Sequence, residues 1–212
     1  MQPSHPKRRI DAIRAHYEPR MAPGRANFDV LDWASEVSQR ARFQVLVESV
    51  PLGGRSLLDV GCGLGDLLAC LIEREIDLAY TGVDVLERMV AACRERFDAG
   101  RFVRGDVFAE DPFAGEGFDV VFTSGIFNLD LGNNLEFLPG ALRRLLGLAR
   151  EHLVVNFLHV RAPQKAPGYF FYDPRDVLAI LRDEPCEIRL LDDYLPNDFT
   201  VICRRSLAPR RR

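Results

Sequence analysis

The chain has 212 residues, 47% hydrophobic and 28% charged, with a net charge of −3. That balance gives enough apolar mass for a full core and excludes a disordered or collagen-like chain. No apolar run approaches the roughly 20 residues a membrane-spanning helix needs. The charge is unevenly placed. Residues 1–25 carry +4 and residues 204–212 carry +5, which leaves −12 for residues 26–203. An acidic body repels phosphate, so nucleic acid is not the expected partner. The N-terminus is rich in Pro, Arg and His and has no apolar signal-peptide core. The five cysteines (62, 70, 93, 186, 203) form no ligand or CxxC spacing. Together these predict reduced thiols and a cytoplasmic location.

In chain order, residues 1–9 read as a disordered basic tail, because Pro3, Pro6 and the triplet Lys7-Arg8-Arg9 leave nothing to bury. Residues 10–54 read as a helical extension. A short helix is expected over 10–25, broken by Pro19 and Pro23-Gly24. A longer one is expected from Asp32, as N-cap, to Val50, stopped by Pro51-Leu52-Gly53-Gly54. From residue 55 to 204, strands alternate with helices. The predicted strands are Ser56–Val60, Ala79–Asp84, Arg101–Arg104, Phe118–Ser124 and His152–Leu158. The predicted helices are Gly65–Arg74, Leu86–Phe97, Leu135–Arg150 (with Pro139-Gly140 threatening its start) and Asp173–Arg182. Cys186–Leu191 and Phe199–Arg204 have no helix between them and should form an antiparallel hairpin. Residues 205–212 read as a second basic tail. The pattern argues for an α/β, doubly wound, mostly parallel sheet.

The chemistry-bearing motif is Leu57-Leu58-Asp59-Val60-Gly61-Cys62-Gly63-Leu64-Gly65. A buried strand enters a glycine turn and then a helix, so the backbone can approach a ligand closely. The spacing departs from the G-x-x-G half of a dinucleotide fingerprint, with Asp66 at the last position. A carboxylate at Asp59 suits an ammonium group better than a pyrophosphate. Asp84 closes the second strand, where an acid accepts from both ribose hydroxyls. Asp106 follows the third strand, where it can accept from an adenine amino group. The three acids converge on the crevice at the carboxyl ends of the strands.

These residues together resemble the class I S-adenosylmethionine-dependent methyltransferases, over about residues 55–204. The resemblance implies a seven-stranded sheet of order 3-2-1-4-5-7-6 with the last strand antiparallel. It implies S-adenosylmethionine as cofactor and S-adenosylhomocysteine as product. Carried over residue by residue, Gly61, Cys62, Gly63 and Gly65 hold the methionine moiety, with Asp59 near its amino group. Asp84 holds the ribose, Val85 and Leu86 line the adenine, and Asp106 with the Val107 backbone reads the adenine edge. The fourth strand ends Ser124-Gly125-Ile126-Phe127-Asn128, facing the methyl group and the acceptor. It lacks the Asn/Asp-Pro-Pro-aromatic motif of amino-methylating enzymes and the Pro-Cys of cytosine-C5 enzymes. The acid that binds magnesium in catechol-type enzymes is replaced by Ser124, so no metal is expected.

Phe127, Asn128 and Tyr172 are candidate acceptor residues, with loop or core duty as the plain alternative for the last two. His159, just past the fifth strand, is a candidate general base. His152, at the other end of that strand, reads as structural. Arg42 on the extension is a candidate partner for the cofactor carboxylate, or a residue of a solvated helix face. The expected activity is in-line methyl transfer to a small-molecule acceptor. The rival readings are a cofactor-binding subunit without catalysis, and methylation of RNA or protein gripped by the basic ends.

Overall fold

The computed structural model describes residues 6–205. Its centre is a seven-stranded sheet made of β1 (Ser56–Val60), β2 (Ala79–Asp84), β3 (Arg101–Arg104), β4 (Phe118–Ser124), β5 (Ala149–Leu158), β6 (Cys186–Leu191) and β7 (Asp198–Arg205). The order is β3-β2-β1-β4-β5-β7-β6. β1 to β5 run parallel, and β7 pairs antiparallel with both β5 and β6. The hairpin expected from the missing crossover helix is therefore present.

Strand alternation divides the core into two layers. Leu58, Val121 and Val155 face one side, under α6 (Asn134–Leu148) and α7 (Pro174–Leu181). Leu57, Val120, Phe122 and Val154 face the other, under α3 (Glu36–Ser49) and α4 (Asp66–Glu73), with Val90 and Cys93 of α5 (Glu87–Arg96) joining them. Asp173 caps α7 by accepting from the Arg175 N–H, with Pro174 in its first turn. α6 begins at Asn134 and runs through Pro139, so Pro139-Gly140 does not delay it.

The extension differs from expectation in three ways. First, residues 6–9 are not tail. They open α1 (Pro6–Tyr17), which is followed by a 3-10 turn at Glu18–Arg20. Ile13 and Tyr17, one turn apart, pack with Met21 against Val30, Leu64, Leu86 and Met89, and this apolar stripe gives the helix something to bury. Residues 1–5 and 206–212 lie outside the described residues, and Arg205 belongs to β7. Second, the helix predicted from Asp32 begins only at Glu36, as α3, and a separate short helix, α2 (Asn27–Val30), precedes it. Ser35, not Asp32, is the cap of α3. Its hydroxyl accepts from the Ser38 N–H at 3.1 Å while the Ser38 hydroxyl accepts from the Ser35 N–H at 3.2 Å. Third, Asp32 sits in a left-handed conformation (φ 58°). Its Oδ2 accepts from Arg20 Nη2 at 3.0 Å, lies 2.9 Å from His16 Nε2, and accepts a short bond from the Tyr169 hydroxyl. Its carboxylate ties three segments together instead of capping one.

Candidate active site

Between the extension and the carboxyl ends of β1–β4 lies a cavity. Its floor is the strand ends. Asp59, Val60, Gly61, Cys62 and Gly63 line it from β1, Asp84, Val85 and Leu86 from β2, Asp106 and Val107 after β3, and Ser124 and Phe127 at the end of β4.

The glycine turn lies close against its neighbours. Gly61 has φ +77°, and a Cβ there would lie 2.2 Å from Ile126 Cγ2. Gly63 has φ +54°, and a Cβ would lie 2.8 Å from Leu31 Cδ2. Both positions therefore require glycine on conformational and steric grounds. Gly65 does not line the cavity. It is the left-handed residue before α4, so its part in holding a ligand, expected from the motif, becomes a turn-making part.

Asp84 accepts from the Gly63 N–H at 3.1 Å and the Leu86 N–H at 2.9 Å, one on each oxygen. Each oxygen keeps a further lone pair for a ligand hydroxyl. Burial raises the Asp84 pKa above the usual carboxylate range, against the pull of those N–H donors. Asp59 is buried and accepts from the Tyr80 hydroxyl at 2.7 Å. Burial pushes its pKa up to about 7, opposed by the Tyr80 bond and reinforced by the Asp84 and Asp66 charges. A cation arriving beside such a carboxyl group favours its ionised form, and the proton is released to solvent. Asp106 Oδ1 accepts from the Phe108 N–H at 3.0 Å, and its Oδ2 is paired with Arg9.

Four residues expected at the site are elsewhere. Arg42 is buried in an ion pair with Asp198, Nε to Oδ1 at 3.0 Å and Nη2 to Oδ2 at 2.6 Å, with its guanidinium 4.3 Å from the Trp33 ring. It is neither on a solvated face nor in the cavity lining. His159 does not line the cavity either. Its Nδ1 accepts from the Arg161 N–H at 3.1 Å and its ring meets Phe199 edge-on at 5.3 Å, so it closes the turn after β5. Burial and the nearby Arg161 lower its pKa. Tyr172 is core. Its hydroxyl donates to the Phe127 carbonyl and accepts from Asn134 Nδ2, both at 3.1 Å. Asn128 is a loop residue whose N–H donates to the Gly125 carbonyl and whose carbonyl accepts from the Phe170 N–H.

The roof comes from residues that sequence patterning did not single out for the site. Arg9 and Tyr17 of α1, Leu31, Trp33 and Gln39 all line the cavity. Asp66 fastens this roof to the floor, accepting from Asn27 Nδ2 at 2.6 Å, Gln39 Nε2 at 3.0 Å and Arg96 Nη1 at 2.6 Å. A second chain of contacts runs from Arg42 through Asp198 to Asn156 Nδ2 (3.2 Å), and from Asn156 Oδ1 to the Ser124 hydroxyl (3.1 Å) at the tip of β4. The Trp33–Leu31 apolar pair beside a helical pattern was the available sequence signal for the roof. Arg9 offered none.

Residues 57–147 match the family model described as "Methyltransferase domain". The chain is 30% identical over 158 residues to a Mycobacterium tuberculosis protein named "Putative methyltransferase Rv1506c", covering 71% of this chain and 93% of that one. The chain belongs to the class I S-adenosylmethionine-dependent methyltransferases. The chain is also 27% identical over 160 residues to the malonyl-[acyl-carrier protein] O-methyltransferase of Acetivibrio thermocellus, covering 67% of this chain and 56% of that one. It is 35% identical over 80 residues to the trans-aconitate 2-methyltransferase of Paracidovorax citrulli, covering 37% of this chain and 31% of that relative. It therefore spans about half or less of the length of these two. Its fold is shared with magnesium protoporphyrin IX methyltransferase from Synechocystis PCC 6803, solved with bound S-adenosylmethionine. There the TM-score is 0.66 at 20% identity, covering 93% of this chain and 97% of that one. Among the described residues, no helix is long and apolar enough to cross a membrane.

Proposed function

We propose that the cavity binds S-adenosylmethionine on its floor and directs the methyl group to a small-molecule acceptor in the space under Trp33. The observation that carries this reading is the convergence of Asp59, Asp84, Asp106 and the glycine turn on one cavity wall. The donor and acceptor chemistry fits the cofactor from end to end. Asp59 offers an anion for the amino group, and Asp84 offers two free lone pairs for the ribose hydroxyls. Asp106 and the Val107 N–H offer an acceptor and a donor for the adenine edge. Val85, Leu86 and Phe108 provide an apolar bed for the ring.

The bound cofactor supplies a methyl group already activated by its sulfonium. The work left to the chain is alignment and exclusion of water. Ser124, held through Asn156, and Phe127, stacked on Phe157 at 5.4 Å, fix the wall beside the transfer path. The roof residues Leu31 and Trp33 line the cavity from above. His159 lies outside the cavity lining, which favours an acceptor that needs no help from that base. A roof over part of the cleft and an acidic body favour a small acceptor over RNA or protein. One relative named above, trans-aconitate 2-methyltransferase, is in line with this, while another is named for a malonyl group on a carrier protein. The five cysteines are free, in keeping with a reducing, cytoplasmic setting.

Two measurements test this. Asp84→Ala should weaken S-adenosylmethionine binding about a hundredfold by calorimetry, the loss of two charge-assisted hydrogen bonds. Unchanged affinity would remove the floor assignment. Transfer of labelled methyl groups into fractionated extracts should label the small-molecule pool, and label confined to RNA or protein would overturn the acceptor class.

A further inference from the structure

Among the described residues, Arg9 is the first along the chain to line the cavity. Its guanidinium is paired with Asp106, and the two side chains are only 10% and 7% exposed. The guanidinium carbon lies 5.0 Å from the Phe108 ring centre and 4.8 Å from that of Phe137. A planar cation is thus held between two aromatic faces and one carboxylate, inside the same cavity wall that offers the adenine acceptor. The Asp106 oxygens are both engaged, Oδ1 by the Phe108 N–H and Oδ2 by Arg9, and its own N–H donates to Glu110 Oε1 at 3.2 Å. With so little of the pair exposed, another donor reaches Asp106 only if Arg9 leaves.

The anchors of α1 are unevenly placed. Its C-terminal end is held by His16 on Asp32 and by Tyr17 in the apolar cluster with Leu86, and Arg20 in the turn that follows also donates to Asp32. Its first turn, Pro6–Arg9, reaches the floor through Arg9.

We propose that Arg9 is a latch that occupies the adenine-reading acid in the unliganded enzyme, so that cofactor binding exchanges the Arg9 N–H on Asp106 for the adenine amino group. The inference rests on the cofactor placement given above. The first turn of α1 is then displaced when cofactor enters and returns when product leaves, which couples cofactor exchange to the opening of the roof. A ligand that must wait for an open latch binds more weakly in proportion to the open fraction. A latch open about one-tenth of the time costs about tenfold in apparent affinity.

The test is calorimetric titration of the full chain with S-adenosylhomocysteine. Arg9→Ala should bind it about tenfold more tightly than the unmodified chain. Arg9→Met, which keeps an apolar stem between Phe108 and Phe137, should do the same and covers the case in which the alanine variant fails to fold. In an Asp106→Ala background the Arg9 substitution should have no effect, since the competition is gone. Unchanged or weaker binding in both Arg9 variants overturns the latch, as does an equal gain without Asp106. Failure of the cofactor placement itself reads out separately, as Asp84→Ala binding S-adenosylhomocysteine normally.

Discussion

The floor and the roof of the cavity are built by different means. On the floor, each residue's part is set by its own strand end. Asp59 lies near the end of β1, Asp84 closes β2 and Asp106 follows β3, and most of their hydrogen-bond donors lie within two residues or on, or just after, the adjacent strand. The roof is held by pairs far apart in sequence. Gln39 and Asn27 reach Asp66 across 27 and 39 residues, Arg9 reaches Asp106 across 97, and Arg42 reaches Asp198 across 156. The floor is thus a local device that many sequences can carry. The roof depends on long-range pairs, and acceptor choice is expected to reside there.

If the roof depends on such pairs, the most buried of them should be the most costly to break. Arg42 and Asp198 are 2% and 0% exposed. Asp198→Ala leaves a guanidinium buried beside Trp33 with its carboxylate gone, a change worth about 3–5 kcal/mol. Urea unfolding should show that loss. A midpoint within error of the parent would mean the roof is held by its apolar contacts alone.

The same contrast explains what the sequence disclosed. The closing hairpin and the three strand-end acids follow from strand patterning and a glycine turn, which act over a few residues, whereas the sheet order was implied by the family resemblance. Arg9 was read as one of three tail cations because a basic triplet is ordinarily solvated. Nothing local says which of Lys7, Arg8 and Arg9 finds a buried acid. Asp32 reads locally as the cap of the following helix, but His16, Arg20 and Tyr169 arrive at its carboxylate from a distance and Ser35 caps α3 instead. His159 stood at the right strand end, but the turn after β5 spends its Nδ1 on the Arg161 N–H. Arg42 reads as a ligand partner or as part of a solvated face, because its actual partner, Asp198, lies 156 residues away on the last strand.

The floor makes a prediction of its own about pH. In the unliganded chain burial holds Asp59 largely protonated below about pH 7. Because the folded chain binds a proton that the unfolded chain releases near pH 4, this group's contribution to stability falls as pH rises from about 4 to 7. An ammonium group seated beside it stabilises the carboxylate, so cofactor binding should release a proton. S-adenosylhomocysteine affinity should therefore rise roughly tenfold between pH 5.5 and 7. Calorimetry in buffers of different ionisation enthalpy would count the proton, and Asp59→Asn should flatten the profile. A parent profile already flat would place the amino group away from Asp59.

The smallest effects separate roof strength from roof contact. Asn27 and Gln39 both donate to Asp66, but only Gln39 also lines the cavity. Arg96 continues to neutralise Asp66 in either variant. Asn27→Ala and Gln39→Ala should thus each lower stability by about 1 kcal/mol, the ordinary worth of one hydrogen bond to a charged acceptor that keeps its other donors. Ligand affinity should distinguish them, with Gln39→Ala weakening S-adenosylhomocysteine binding about threefold and Asn27→Ala leaving it unchanged. Equal weakening by both would mean that the roof moves as one piece on Asp66, and that its grip on the ligand comes from closure and not from the Gln39 amide.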